Sequence, residues 1–202
     1  MSISPGIRAG VNLAKFGGDD ADAFSGGGQL GQSVDLEEGR RTGYAVGGFL
    51  LVDLAGPLAI QPELMYIQKG YAADFSVSAL GQTISGSSTV ELSYLEVPVL
   101  AKFQIPMAGP FSPTIFAGPT VAYNLSAEQV TEAGGQSDSE DISDSVSGTE
   151  VGAQFGVGAD FGLGAGTLSV DARYGYGLSS LPDSGDASVK NRGIMLTAGL
   201  TF

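Results

Sequence analysis

Two residue types that carry much of protein chemistry are missing from this sequence: among its 202 residues there is no cysteine and no histidine. Without cysteine there are no disulfides and no thiolate nucleophile, and thiol usage says nothing about compartment. Without histidine the commonest general base and the commonest metal ligand are gone. A Ser-His-Asp triad is therefore excluded. Basic residues are scarce, 9 Lys and Arg against 22 Asp and Glu for a net charge of −13, which argues against a nucleic-acid partner. Long apolar runs are lacking as well. The longest, Ala45 to Val52, is a strand's worth and far short of the ~18 residues a membrane helix needs. There is no GxSxG elbow between strand and helix and no phosphate-binding loop. Residues Met1–Pro5 show neither a basic region nor an apolar core of an export signal, and the expectation is a mature form whose signal was replaced by an initiator Met.

What the chain does have is glycine, 32 residues of it, and strict alternation. The stretch from Gly43 to Gly70 reads as two strands around a turn at Leu54, Ala55, Gly56 and Pro57. Successive side chains on a strand point to opposite faces. One face holds Tyr44, Val46, Leu50, Val52, Ile60, Leu64 and Tyr66; the other holds Phe49, Asp53, Gln61, Glu63, Met65 and Lys69. The same alternation recurs over Ile7–Leu13, Ser93–Ile105, Thr114–Leu125, Glu150–Phe161, Leu168–Leu178 and Ile194–Phe202. That makes eight strands in one domain covering residues 1–202. Short turns at 54–57, 106–112 and 162–166 alternate with longer, polar connections at about 17–41, 77–90, 126–148 and 179–190. Tight turns at one end and long loops at the other are the pattern of outer-membrane barrels. The expected fold is all-β: an eight-stranded antiparallel up-and-down transmembrane β-barrel, monomeric, in the outer membrane of a Gram-negative bacterium.

The two faces differ in kind. One carries almost no charge. The other carries Arg8, Asp53, Glu63, Lys69, Glu96, Lys102, Glu150, Asp160, Asp171 and Arg173. A soluble lipocalin-like, ligand-binding barrel would turn the apolar face inward and leave the charged face wet. It would then have to explain the glycines there, since glycine is poor strand filler on a solvated surface but makes room in a narrow lumen. The membrane reading, with grease outward, is preferred.

Several segments are also familiar. QPELMYIQKG (Gln61–Gly70), LSYLEVPVLAKF (Leu92–Phe103), FAGPTVAYNLSA (Phe116–Ala127), DARYGYGLSSL (Asp171–Leu181) and the terminal NRGIMLTAGLTF resemble the PorT-like outer-membrane β-barrel family of Bacteroidetes-type bacteria. The resemblance implies an eight-stranded barrel, usually labelled porin-like, with one namesake linked to type IX protein secretion. The family carries prolines at the positions of Pro62, Pro98 and Pro119, and bulges are expected there because each removes a ladder donor.

The inward charges, four basic against six acidic, are the first candidate site. Glu96 with Lys102, or Asp171 with Arg173, would suit a proton path or substrate gate. An eight-strand barrel is barely wide enough for its own side chains, so a salt-bridged plug without an open pore is the preferred reading, with a small-solute channel as the alternative. The second candidate is the outer rim, where Lys15, Arg40, Arg41, Lys190 and Arg192 sit at the loop ends of neighbouring strands; contact with lipopolysaccharide phosphates is one reading, and neutralisation of nearby Asp and Glu by ordinary rim charges is the preferred one. The acidic stretch from Asp138 to Asp144 lacks the regular calcium-loop spacing and reads as a solvated loop; no metal or cofactor is expected. A paired-carboxylate mechanism through Glu63 and Glu96 stays formally open, although a non-catalytic role in the envelope is expected. Phe202 is the expected insertion signal for the barrel-assembly machinery. Partners expected are outer-membrane lipids and, through the resemblance, secretion components.

Overall fold

The alternating segments form strands, and the tight turns between them form where glycine permits. Gly56 (φ +67°) and Gly164 (φ +81°) take left-handed backbone that other residues adopt at a cost. Leu54 donates to Leu58 and Leu163 to Gly166, closing the two turns. A computed structural model describes residues 1–17, 34–79, 82–109, 111–133, 136–180 and 190–202. Its strands are β1 (Ser2–Gly17), β2 (Val34–Asp53), β3 (Leu58–Ala79), β4 (Gln82–Gln104), β5 (Phe111–Ala133), β6 (Gln136–Asp141), β7 (Thr149–Gly162), β8 (Thr167–Gly177) and β9 (Lys190–Thr201), with one 3-10 turn at Ser143–Ser145. Every pairing is antiparallel, and β1 pairs with β9 from Gly6↔Thr201 to Gly17↔Lys190, closing the sheet on itself. Eight strands form the ring; β6 stands outside it, attached to β5 alone.

Closure settles which face is inside. Leu50, Val97, Phe155 and Leu196 are 45%, 42%, 50% and 53% exposed, whereas Glu96 and Arg173 are 3% and 2% exposed. A soluble barrel has the reverse arrangement, so that alternative is overturned. The outward apolar band ends in aromatic residues, Phe111 against Phe161 toward the short turns and Tyr44 against Tyr66 toward the other end. Such girdles mark the two membrane interfaces.

Two sequence expectations need correction. The connections are not open loops: β2 begins at Val34, only residues 80–81 separate β3 from β4, and β5 with β6 fills much of 126–148. These stretches lack an apolar period because they have water on both sides. Backbone pairing propagated from the barrel, rather than burial, makes them strands. At 22 to 23 residues, β3, β4 and β5 far exceed the ~9–11 needed to cross a membrane. Their excess forms a wall standing above one side of the barrel. Residues 18–33 and 181–189, parts of the two remaining connections, lie outside the described residues.

The prolines do not carry bulges. Register is constant across Pro62↔Val99, Pro98↔Thr120 and Pro119↔Ala153. A missing donor forfeits one bond and leaves the count of residues unchanged. The register shifts fall instead between Ser93 and Tyr94 of β4 and between Arg40 and Ala45 of β2. In the first, Ser93 pairs with Ser126 and Tyr94 with Asn124, so Leu125 is the extra residue. One extra residue flips the faces beyond it: Leu125 points out, and Ala127 is buried. Finally, β6 and β7 run in the same direction along β5, so they are one strand interrupted at 142–148.

A cation placed in the apolar band tests the orientation. Leu196→Arg is expected to lower the unfolding free energy in lipid vesicles by about 2–4 kcal/mol. The urea midpoint, followed by heat-modifiable gel migration, reads this; an unchanged midpoint would put Leu196 away from lipid.

Candidate functional site

Because each strand turns alternate residues inward, the lumen collects side chains from distant parts of the chain. At its centre Arg173 of β8 donates two hydrogen bonds to Glu63 of β3, at 2.7 and 2.9 Å, and further ones to Asp171 at 3.1 Å and to Gln154 of β7 at 3.0 Å. Arg8 of β1 pairs with Asp171, lies 3.9 Å from Glu63 and donates to Thr197 of β9 at 3.3 Å. Two arginines thus bind two carboxylates between opposite walls. Each guanidinium also lies over an aromatic ring, Arg8 over Phe49 at 4.9 Å and Arg173 over Phe116 at 5.1 Å, an arrangement that offsets part of the lost hydration.

Toward the outer end, Lys69 bridges Glu96 and Glu150, both at 2.7 Å. Asn191 donates to Glu150, and Gln154 donates to Glu96 at 3.2 Å, joining this layer to the central one. Toward the short turns, Lys102 pairs with Asp160 at 2.9 Å, and Gln104 donates to the same carboxylate at 2.8 Å. Nine of the ten charged residues expected in the lumen are therefore paired inside it. The tenth, Asp53, ends β2 at the barrel mouth, half-buried and bonded to Ser2. Glu63 and Glu96 are both committed to cations, so nothing in the geometry offers either as a free acid or base.

Charge alone did not reveal the neutral members of the network. Gln61, Gln154, Asn191 and Thr197 are buried on the inward face, and strand parity was the signal that marked them. The glycines have the role their placement suggested. A Cβ at Gly158 would strike the Asp171 carboxylate, one at Gly156 the Phe116 ring, and one at Gly6 the Phe49 ring. Beside the network lies a cavity of about 30 Å³ bordered by Asn12, Lys69, Glu96, Glu150 and Asn191. That is room for a few water molecules at most.

One side of the outer mouth is covered by apolar packing. That packing lies on the β4–β5 side, where Ile142 and Val146, from the interruption between β6 and β7, pack against Leu92, Tyr94, Ala122 and Ala127. Ile142 donates to the Ala127 carbonyl at 2.9 Å, and the Ala127 N–H is received by the Ser143 hydroxyl at 3.2 Å. The Tyr94 ring in this cluster lies 4.9 Å from the Lys69 ammonium, so the apolar cap sits directly on the charged layer. Bonds from Ser143 hold the exposed Asp141 carboxyl below its usual range. The acidic stretch around it forms β6 and the 3-10 turn instead of an open loop. Among the described residues no group of three or more His, Cys, Asp or Glu is placed to hold a metal ion.

At the rim, Lys15 lies directly opposite Arg192, and Lys190 opposite Gly17. Arg41 does not join them. It reaches across β3, donating to the Lys69 carbonyl at 2.9 Å and pairing with Glu91 of β4 at 3.0 Å, because that carboxylate is the nearer counter-charge. The Arg40 side chain lies outside the described residues. Phe202, 60% exposed, follows β9 and donates its N–H to the Pro5 carbonyl at 2.9 Å.

Half a buried pair costs more than a whole one. Arg173→Met, which leaves Glu63 with only Arg8 at 3.9 Å as counter-charge, is expected to destabilise the barrel by about 3–5 kcal/mol. Removing a complete pair, Lys102→Met with Asp160→Leu, should cost less than Lys102→Met alone. Urea titration of the three variants in detergent micelles measures both differences.

The sequence model of the outer membrane protein beta-barrel domain matches residues 2–183. Among solved structures, Neisserial surface protein A aligns over 100% of both chains at 11% identity and a TM-score of 0.52. The attachment invasion locus protein Ail of Yersinia pestis aligns over 100% of both chains at 18% identity and a TM-score of 0.44. OprG from Pseudomonas aeruginosa aligns over 98% of this chain and 95% of its own at 14% identity and a TM-score of 0.43. No curated protein matches. With an eight-stranded ring, an apolar exterior and a family match over most of its length, the chain belongs to the outer membrane protein beta-barrel domain family.

Proposed function

We propose that this protein is a non-catalytic outer-membrane barrel with a closed lumen, serving the envelope through its stability and through the surface it presents outside. The observation that carries this reading is the continuous network from Arg8 to Lys69, which crosses the lumen with paired charges. A channel needs water-lined space along its whole length, and an eight-stranded barrel is filled by its own side chains. Catalysis needs a polar group free to move a proton or attack. The central carboxylates are instead held by arginine and lysine.

The finer role, accessory to protein secretion, rests on the PorT-like segments, above all QPELMYIQKG and LSYLEVPVLAKF. Fold and function are loosely coupled, so secretion is the branch to test by phenotype. Monomeric insertion by the barrel-assembly machinery belongs to the same reading.

In planar bilayers the folded protein is expected to give no unitary current above the protein-free background. Current steps of reproducible amplitude would overturn the closed lumen in favour of small-solute passage. Loss of secreted proteins from the medium after gene deletion, restored by the wild-type gene, would assign the secretion role; an unchanged secretome with a detergent-sensitive envelope would assign the structural one.

A further inference from the structure

We infer that the outward rim of β8, β9 and β1 binds the phosphate groups of outer-leaflet lipopolysaccharide, with Lys15, Lys190 and Arg192 as donors. This rests on the barrel lying in an outer membrane, and not on whether its lumen is closed.

The register makes the argument. Lys15 and Arg192 are direct cross-strand partners, and like charges placed directly opposite destabilise a sheet. In a chain of net charge −13 a counter-charge would have been easy to supply. Among the described residues, the outward positions of β1 from Ile3 to Lys15, of β8 from Leu168 to Tyr176 and of β9 from Lys190 to Leu200 hold no carboxylate. Arg41 shows the contrasting case, a rim cation neutralised within the protein by Glu91 at 3.0 Å.

Arg192 is also prepared for a planar anion. Its guanidinium stacks over the Tyr176 ring at 5.0 Å, which fixes its plane. A guanidinium held this way presents paired donors matched to phosphate oxygens. Height agrees with the chemistry. Along β1 and β9 the cations follow the exposed apolar residues Val11, Leu196 and Ile194, so they begin where the hydrocarbon ends and the phosphates of the glycolipid begin. Tyrosine is itself enriched at that interface.

The test uses the full chain refolded in phosphatidylcholine vesicles, with heat-modifiable gel migration to confirm folding. Purified lipopolysaccharide is titrated in, and the rise in thermal midpoint gives the affinity. The double variant Lys15→Glu/Arg192→Glu is expected to bind about tenfold more weakly or worse. Dephosphorylated lipopolysaccharide should have little effect on the wild type, and Arg41→Gln should bind as the wild type does. Should the double variant fail to fold, Arg192→Gln is expected to weaken binding in the same direction. Equal binding by wild type and rim variants, or equal binding of the dephosphorylated glycolipid, would overturn the site. So would full protection by inorganic phosphate alone, which would mark a site for the free anion. Bilayer current reads the lumen separately, so a conducting barrel that still binds lipopolysaccharide through this rim would refute the closed lumen and leave this site standing.

Discussion

The structure depends on charge neutralisation inside a space too narrow for bulk water. Buried ions are tolerated only when paired and hydrogen-bonded, and the ring of eight strands leaves no room to hydrate them. Arg173 therefore has to meet Glu63 and Asp171, and Arg8 has to meet Asp171. These contacts join β1, β3 and β8 across the lumen, where strand neighbours alone would not reach. The backbone ladder holds each strand to the next; the arginines hold opposite walls to each other. Glycine is the steric counterpart of this demand, since the carboxylate of Asp171 and the rings of Phe49 and Phe116 occupy space that a Cβ on the facing strand would take.

The barrel was legible because its alternation is a consequence of two solvents. Lipid outside excludes charge, and a crowded lumen inside requires charge to be matched, so the period-two pattern survives along every membrane-crossing segment. Nine of the ten inward charges follow from parity alone. Asp53 escapes because the end of a strand at the mouth can be wetted, and parity carries no information about depth. The wall above the membrane was illegible for the same reason that the barrel was legible. Residues such as Ser85 to Thr89 have water on both sides, so nothing selects an alternating pattern, and their strand state is inherited from pairing begun lower in β3 and β4. The bulge at Leu125 was equally hidden, since an extra residue leaves no compositional mark. The prolines suggested irregularity where there is none, because losing a donor and gaining a residue are different events.

The interruption between β6 and β7 links the two regions. Along β5, four residues (124–127) face seven (142–148) on the other side. The surplus has to leave the sheet, and it leaves toward the lumen, where Ile142 and Val146 find Leu92, Tyr94 and Ala127. The flip produced by Leu125 is what places Ala127 on the inner face to receive them. A bulge on one strand and an excursion on its neighbour together give the polar plug an apolar cover.

The energetics of that plug bear on where function can reside. A folded domain is stable by about 5–15 kcal/mol in total, and parting one buried ion pair costs about 3–5 kcal/mol. Opening a path along the lumen would require parting Arg173 from Glu63, Arg8 from Asp171 and Lys69 from its two carboxylates. Such a state would spend most or all of the stability of the barrel unless water entered to hydrate every freed charge, and the strand number that sets the diameter prevents that. On the proposed reading the lumen serves to hold the barrel together. Variation that leaves stability untouched is confined to the rim and the wall, which are the surfaces outside the apolar band.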